Sequence, residues 1–193
     1  MVNEEKILIK QAQNGDRNAF RELVERHKRN VYFLALDLSG NRQDAEDISQ
    51  EVFIKAYHSL IKFRGESKLS SWLYRITVNC FMDSRRKQQV LKTVSIHNDL
   101  GEETKPETHA LLDEHAPDPV ELSQTSGLQK HIQIALNRLS PRERSVFVLR
   151  HYQELPLKEI GNMLDIAEGT VKALLFRAIK RLQKELAFYQ ADL

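Results

Sequence analysis

The sequence predicts an all-α protein with two small helical domains joined by an acidic extended linker. The composition points this way, because the 193 residues include only seven glycines and five prolines, with 41% hydrophobic and 29% charged residues. Such values are typical of a helical globular protein rather than of a disordered or fibrous chain. Apolar residues also recur at spacings of three and four, which is the period of an amphipathic helix.

Charge divides the chain into three parts. Residues 1–92 carry 17 basic and 12 acidic side chains, and residues 127–193 carry 11 and 7. Residues 93–126 carry one basic and eight acidic side chains and hold three of the five prolines, without a sustained apolar period. We therefore expect domains at 1–92 and 127–193 and a linker at 93–126. The residues alone leave open whether this linker does more than tether the domains.

The sequence lacks the residues that several classes of function require. The amino terminus has charges within its only apolar cluster, so we expect neither a signal peptide nor a membrane span, and a cytoplasmic protein. Cys80 is the only cysteine, which excludes an intramolecular disulfide and favours a small buried side chain. No metal-ligand spacing, phosphate-binding loop or nucleophile elbow is present. We predict no catalytic residue, metal, cofactor or small-molecule substrate, and thus no enzyme.

Four helices are predicted in the first domain. A short helix ends near Gly15, and Asp16 is a suitable N-cap for a second helix that runs to Gly40. A third helix begins near Asn41, and a fourth extends from Ser70 to about Gln89. The buried stripe of the second helix comprises Phe20, Leu23, Val24, Val31, Leu34, Ala35 and Leu38.

The second domain has clear helix signals. Residues Ser140 to Glu143 form a capping box with proline at the first helical position. Pro156 opens a short helix that ends near Leu164, and a turn leads into a long helix from Thr170 to about Leu186. This short helix, turn and basic second helix form a helix-turn-helix pattern, whose second helix enters the major groove of DNA.

The long helix predicts a DNA-reading face. At about 100° per residue, its core side holds Val171, Leu175, Ala178 and Leu182, with Leu174 at the margin. Cations on the other side can contact phosphate or guanine, and apolar atoms there can contact thymine methyls. That side holds Lys172, Ala173, Phe176, Arg177, Lys180 and Lys184.

Residues 70–87 form a second candidate nucleic-acid surface. An aromatic ring, an amide and cations along one helix edge can stack bases and hold phosphates, as in single-strand binders. A core position is the common alternative for a tryptophan in a helix. The edge comprises Trp72, Arg75, Asn79, Asp83 and Arg86.

Residues 44–53 place acidic and amide side chains at a helix start. Acids in the first turn complement the helix dipole, which is a sufficient structural explanation. The alternative is a polar surface on which a basic partner docks.

Taken in order, these segments resemble the extracytoplasmic-function (ECF) sigma factors of bacterial RNA polymerase, group 4 of the sigma-70 family. The resemblance rests on DAEDISQEVFIKAY, on SWLYRITVNCFMDSRRK and on the segment from LSPRERSVFVLRHY to FRAIKRL. It covers nearly the whole chain except the linker. It implies a non-enzymatic subunit that binds core polymerase, recognises the −10 and −35 promoter elements and promotes DNA melting.

The resemblance also implies the role of each site. The first domain binds the β′ clamp helices through Asp44, Asp47, Gln50, Glu51 and Phe53. It takes up and melts the downstream element with Lys68, Leu69, Ser70, Ser71, Trp72, Arg75, Asn79, Asp83, Arg85 and Arg86. The second domain meets the β flap and reads the upstream element with Glu168, Gly169, Thr170, Lys172, Ala173, Phe176, Arg177 and Lys180.

Two further expectations follow from the resemblance. The family threads its linker through the active-site and RNA-exit channels, where acidic residues can mimic nucleic acid. An anti-sigma factor, membrane-bound in many cases, is a common partner. The chain departs from the family pattern at Ala173 and Leu174, where Ser and Arg are usual, and at Gly161, where Ala is frequent.

Overall fold

The computed structural model describes residues 2–98 and 127–187 of the chain. Within these ranges the protein forms α-helices and one 3₁₀ turn, and no strand, which confirms the predicted all-α class. The helices are α1 (Val2–Gln13), α2 (Arg17–Ser39), α3 (Arg42–Ser59), α4 (Leu69–Asn98), α5 (Gly127–Asn137), α6 (Pro141–His151), α7 (Leu157–Leu164) and α8 (Glu168–Glu185), with the 3₁₀ turn at Leu60–Lys62.

Helices α1 to α4 form the amino-terminal bundle, and local sequence signals fix its helix ends. The Asp16 side chain caps α2 by accepting from the backbone N–H groups of Asn18 and Ala19. Gly40 ends α2 in the left-handed conformation, φ 83°, which glycine adopts without strain. Asn41 then caps α3 through the N–H of Asp44. The predicted N-cap at Asp16, the predicted end of α2 and the predicted start of α3 near Asn41 are confirmed.

Apolar faces of α2, α3 and α4 pack together in the centre of this bundle. The period-3.6 stripe predicted for α2 is confirmed, with Phe20 and Val24 half-buried at its edge. Cys80 is fully buried, as predicted. The buried members are Leu23, Val31, Leu34, Ala35, Leu38, Ala45, Ile48, Val52, Ala56, Leu60, Leu69, Leu73, Val78, Cys80 and Phe81.

Helices α5 to α8 form the carboxy-terminal unit, in which α8 packs on α5, α6 and α7. The predicted capping box is present, since the Ser140 side chain accepts from the Glu143 N–H and Glu143 accepts from the Ser140 N–H. Helix α7 ends at Asp165, φ 55°, and the short turn to α8 follows. This is the predicted helix-turn-helix.

Two predicted helix boundaries were wrong. Helix α4 continues to Asn98 rather than ending near Gln89, because no glycine or proline interrupts residues 90–98. Helix α8 begins at Glu168 rather than Thr170. An acidic residue in the first turn complements the helix dipole there.

The two halves pack directly against each other. One hydrophobic cluster joins the amino-terminal core to Val146, Leu149, Ile160 and Leu174 of the carboxy-terminal half. Helix α6 contacts α2 and α4, and α7 contacts α4. The sequence predicted separate domains and gave no sign of this shared core. The predicted domain boundaries stay a prediction, and residues 99–126 of the predicted linker lie outside the described ranges.

Candidate polymerase and promoter surfaces

Helix α3 presents an exposed polar face at its amino-terminal half. The opposite face of α3 is buried in the core through Ile48, Val52 and Ala56. Asp47 and Gln50 therefore project into solvent. Glu51 is partly exposed, and its carboxylate lies 2.8 Å from Lys55 Nζ. That hydrogen bond raises the pKa of Lys55.

The other two predicted docking residues are less available. Asp44 Oδ2 accepts from Asn41 Nδ2 at 2.8 Å, so this carboxylate serves the helix cap. Phe53 is half-buried against the core. Asp47 and Gln50 are therefore exposed, whereas Asp44 and Phe53 also stabilise the fold.

Sequence reasoning missed an apolar continuation of this face. Ile54 and Tyr57 are 58% and 46% exposed, and Ile61 in the 3₁₀ turn is 71% exposed. Spacings of three and four from Gln50 put these side chains on the same side of the helix. That spacing was visible in the sequence, but Ile54 and Tyr57 resemble core residues when read without the bundle.

The loop that leads into α4 is fixed by a glutamine from α1. Gln13 Nε2 donates to the carbonyls of Leu60 and Phe63 at 2.9 and 2.8 Å. Lys68 is then exposed at the end of the loop, whereas Leu69 is 3% exposed and packs in the core. Leu69 therefore presents almost no surface to a partner.

The predicted edge of α4 is partly exposed. Arg75, Asn79 and Arg86 project from the surface, as the helical projection indicated. Trp72 is half-buried, and its ring lies 5.2 Å from that of Phe63. The tryptophan therefore combines a core contact with a partly exposed ring, and both interpretations of Trp72 apply in part.

Several charged residues of the predicted downstream site have partners within the protein. Arg85 Nη2 donates to the Ser39 carbonyl at 2.9 Å, and its guanidinium lies over the Phe81 ring. Asp83 lies 3.5 Å from Lys55 and 3.6 Å from Arg86. Arg85 thus stabilises the carboxyl end of α2, a role that the sequence did not reveal.

The upstream candidate site is the exposed face of α8. Val171, Ala178 and Leu182 anchor the helix in the core, so the opposite face is solvent-exposed. All eight predicted residues are exposed, and Phe176 is 68% exposed. Glu168 lies 2.8 Å from Lys172 Nζ, and this hydrogen bond lowers the pKa of Glu168. This face of α8 therefore carries both cationic side chains and an exposed aromatic ring.

The projection of α8 underestimated the burial of Leu174 and overestimated that of Leu175. Leu174, placed at the margin, is 7% exposed, whereas Leu175, placed in the core, is half-buried. The cause lies in the other half of the protein. Leu174 belongs to the cluster shared with α4 and faces a cavity between the halves.

This cavity, of about 670 Å³, is the main feature that sequence reasoning missed. Ser59, Ile76, Asn79 and Met82 are among the residues that line one wall, and Arg142, Leu164 and Leu174 are among those of the other. Also between the two halves, Ser71 Oγ donates to Glu159 Oε1 at 2.6 Å. Residues predicted to contact downstream DNA therefore face helices of the carboxy-terminal half.

The absence of a side chain at Gly161 lets the turn of the helix-turn-helix pack closely on α7. Its Cα is buried, and a Cβ there would lie 2.8 Å from the carbonyl oxygen of Ile166 in the turn. The Ile166 N–H donates to the Gly161 carbonyl at 3.0 Å. The missing side chain lets the turn lie directly on α7, which sets the position of α8.

Neither a membrane-spanning helix nor a metal site was found among the described residues. No helix there is both long and apolar enough to cross a bilayer. No group of three or more His, Cys, Asp or Glu side chains in those ranges could hold a metal ion.

Comparison with known proteins matches one family model to each half of the chain. The family model for sigma-70 region 2 matches residues 23–90, and the model for sigma-70 region 4 matches residues 135–184. The first match contains α3 and the exposed edge of α4, and the second contains the helix-turn-helix.

Individual relatives show the same similarity over almost the full chain. The ECF RNA polymerase sigma factor SigW of Bacillus subtilis is 37% identical, over 92% of this chain and 94% of that protein. The ECF sigma-E factor of Haemophilus influenzae is 33% identical, over 93% of each. The fold resembles that of the sigma factor RpoE of Bartonella quintana, solved with the anti-sigma factor NepR, with a TM-score of 0.63 and 24% identity over 87% of this chain and 96% of that one.

The family is established by two sigma-70 regions in the expected order and by relatives that match along nearly the whole length of the chain. The chain belongs to the ECF sigma factors of the sigma-70 family, which recognise promoters for RNA polymerase.

Proposed function

We propose that this sigma factor uses three surfaces in transcription initiation. The exposed face of α3 binds the clamp helices of core polymerase. The loop before α4 and the edge of that helix take up and melt the −10 element. The exposed face of α8 reads the −35 element, while the carboxy-terminal unit meets the β flap.

The observation that carries this proposal is the exposed face of α8. Every residue predicted for upstream DNA lies on one solvent-exposed face of the second helix of a helix-turn-helix. Lysine and arginine side chains there can contact phosphates and base edges, as major-groove recognition requires.

Docking on polymerase is tested by changing the exposed face of α3. Because Asp47 and Gln50 are exposed and serve no cap or core contact, Gln50→Ala with Asp47→Ala should weaken core binding without unfolding the bundle. Removing two polar contacts of about 1 kcal/mol each corresponds to roughly tenfold or more in affinity. Affinity is measured by fluorescence anisotropy of the labelled chain titrated with core enzyme.

The matched control is Gln11→Ala with Asp16→Asn, since both residues are exposed and lie outside α3. The control should bind core polymerase as the unaltered chain does. Unchanged affinity in the α3 variant, with its helical circular dichroism intact, would refute this docking face.

Ile54, Tyr57 and Ile61 extend the same surface. Their exposed apolar atoms provide the hydrophobic contact that a polar docking face alone lacks. Phe53→Ala, by contrast, is expected to reduce stability as well as binding, because that ring packs on the core.

A free-standing activator or repressor is the alternative class for a helix-turn-helix protein. The discriminating observation is the behaviour of the purified chain with its two candidate partners. A sigma factor should bind core polymerase and direct start-site-specific transcription from it, and should bind a short duplex poorly alone. Binding to a duplex with no affinity for core enzyme would favour the alternative.

The partners follow from the family. We place the chain in the cytoplasm with core polymerase and promoter DNA, as a non-enzymatic subunit without a cofactor or small-molecule substrate. An anti-sigma factor is a further proposed partner, since the Bartonella relative was solved with one. The acidic linker 93–126 is proposed to run through the basic channels of the polymerase.

A further inference from the structure

One side chain of α1 is bonded to the segment that leads into the proposed −10 site. The Nε2 atom of Gln13 donates to the carbonyl of Leu60 at 2.9 Å and to the carbonyl of Phe63 at 2.8 Å. A glutamine amide nitrogen carries two N–H donors, so both are used here. The bonds join residues 47 and 50 positions apart in the sequence. They therefore fix the start of the loop relative to α1.

The two carbonyls lie at either end of the 3₁₀ turn, after which the backbone leaves regular structure. Leu60 is the first residue of the turn, and Phe63 follows its last residue in an extended conformation. The Phe63 N–H donates to the Leu60 carbonyl at 2.9 Å. Carbonyls at the end of a helix lack partners within it, and Gln13 supplies the donor for that of Phe63. The Phe63 backbone is thus held at both its N–H and its carbonyl.

The position of Phe63 affects two parts of the proposed −10 site. Its ring lies 5.2 Å from the ring of Trp72, on the edge of α4. Residues 64–68 follow its carbonyl, and all of them are exposed. Leu69, at the other end of this loop, is buried in the core. The loop is therefore held at its two ends, by Gln13 through Phe63 and by the burial of Leu69.

Gln13 lies at a well-supported junction of two helices. It is the last residue of α1, and Leu8 and Ile9 of that helix pack against the core. The Asp16 N–H donates to the Gln11 carbonyl at 3.0 Å, while the Asp16 side chain caps α2. The junction of α1 and α2 is thus a fixed point from which the glutamine holds the loop.

We propose that Gln13 is a positioning residue for the −10 site, because its amide holds Phe63 and thereby sets the loop at 64–68 and the ring of Trp72 for uptake of the downstream element. The role rests on the proposed function of this loop in promoter melting. The glutamine acts through Phe63, and the DNA contacts belong to the loop and the edge of α4. The alternative is a purely structural role, in which the two bonds only stabilise the bundle.

Loss of the two bonds should allow the loop to adopt other conformations. Two hydrogen bonds of typical strength shift a local equilibrium by about tenfold or more. The apparent affinity of a site falls in proportion to the fraction of molecules in the binding-competent conformation, so Gln13→Ala should take up the downstream element about fivefold less well.

Trp72 is the only tryptophan of the chain, so its fluorescence reports on the pair that it forms with Phe63. In Gln13→Ala the emission should shift to longer wavelength, and quenching by acrylamide should increase, because the ring loses part of its packing. Gln11→Ala is the matched control, since it removes an exposed glutamine of the same helix, and it should match the starting chain. Unchanged emission and quenching in Gln13→Ala would overturn the proposal.

Transcription by the reconstituted holoenzyme gives the functional result. Gln13→Ala should relax base preference in a randomised −10 element and lower permanganate reactivity about fivefold. Core affinity and preference at the −35 element should stay as in the starting chain, because α3 and α8 keep their contacts. Loss of stability alone would instead weaken core binding and the reading of both elements together. Normal −10 preference and melting in Gln13→Ala would refute the positioning role.

Two further variants separate hydrogen bonding from packing. Gln13→Lys keeps N–H donors at a similar reach and should restore most of the melting. Gln13→Asn keeps the amide but is one carbon shorter, so it should behave like Gln13→Ala. Equal loss in the lysine and alanine variants would overturn the assignment to these bonds. If Gln13→Ala does not fold, Gln13→Asn decides between a relaxed −10 preference, which supports the proposal, and an unchanged one, which refutes it.

Failure of this inference is distinguishable from failure of the −10 assignment. Asn79→Ala and Lys68→Ala test that assignment in the same holoenzyme assay. If these two impair melting and Gln13→Ala does not, the positioning role is wrong and the −10 assignment stands. If all three variants melt promoters normally, the −10 assignment fails, and the positioning role fails with it.

Discussion

Arg177 and Lys180 lie on the same exposed face of α8 but are suited to different contacts. A guanidinium can bind guanine with two hydrogen bonds, worth about 1–3 kcal/mol of discrimination. Arg177→Ala should therefore relax preference at one upstream base pair. Lys180→Ala should instead weaken all promoters alike and reduce the salt dependence of binding. Transcription from a randomised upstream element measures both.

The control for these two variants is Arg64→Ala, an exposed cation of the amino-terminal bundle. It should change neither base preference nor salt dependence at the upstream element. If Arg177→Ala keeps the same preference at every position, the proposed reading face is wrong. Ala173→Ser, which restores the usual family residue, should shift the preferred sequence modestly and leave folding unchanged.

Asn79 is the residue whose loss should affect melting without affecting assembly. Its side chain is exposed on the edge of α4 and lines the cavity beside the carboxy-terminal half, and it is not part of the proposed docking face of α3. Asn79→Ala should reduce permanganate reactivity of promoter thymines by about tenfold, as the loss of a contact worth roughly 1.4 kcal/mol predicts. Lys68→Ala should act in the same direction through the loop.

Polymerase affinity of the Asn79 variant serves as the internal control and should be unchanged. Lys62→Ala removes another exposed cation near the loop and should melt promoters normally. Normal permanganate reactivity in Asn79→Ala would exclude the amide from the melting site.

At the scale of the secondary-structure element, Gly161 determines how the turn lies on α7. A methyl group at Gly161 would meet the Ile166 carbonyl oxygen at 2.8 Å, so the turn must shift. Forcing an additional carbon into a packed site costs about 1–3 kcal/mol. Alanine recovers about 0.5–1 kcal/mol of this cost as the better helix former, so Gly161→Ala should lower the free energy of unfolding by up to about 2 kcal/mol in urea titrations.

The control substitution is Gly169→Ala in the first turn of α8, where a Cβ has no neighbour within 4 Å. Alanine is a better helix former than glycine by about 0.5–1 kcal/mol, so this variant should be unchanged or more stable. Equal stability of the two variants would show that the turn relaxes around the Gly161 methyl group without cost.

For the whole molecule, the interface between the halves predicts a pH dependence of stability. Burial raises the pKa of Asp37 to about 6, and the charge of Arg144 lowers it by less. A raised carboxyl pKa means that the folded protein binds the proton more tightly. The resulting stabilisation is complete below about pH 4 and is lost as the pH rises through about 6.

Asp37→Asn removes this titration, so its stability should fall less than that of the starting chain between these two pH values. The measurement is the free energy of unfolding from urea titrations across the range. Asp165→Asn, which changes an exposed carboxyl group, should follow the starting chain. Parallel curves for the chain and Asp37→Asn would contradict the effect of burial.

The sequence by itself determined the helices, most of their ends and the order of the candidate surfaces. Caps at Asp16, Asn41 and Ser140 and the apolar period of α2 depend on neighbours within a few residues, so they are readable from the chain. The exposed face of α8 was predicted for the same reason. The end of α4 was not predicted, because no glycine or proline marks it.

Only the tertiary structure decided which predicted residues are engaged elsewhere. Leu69 and Leu174 are buried, Arg85 stabilises the end of α2, and these facts depend on helices distant in sequence. The contact between Arg144 and the Asp37 carbonyl joins residues 107 positions apart. A helical projection treats each helix as isolated, and therefore cannot show which face a second domain covers.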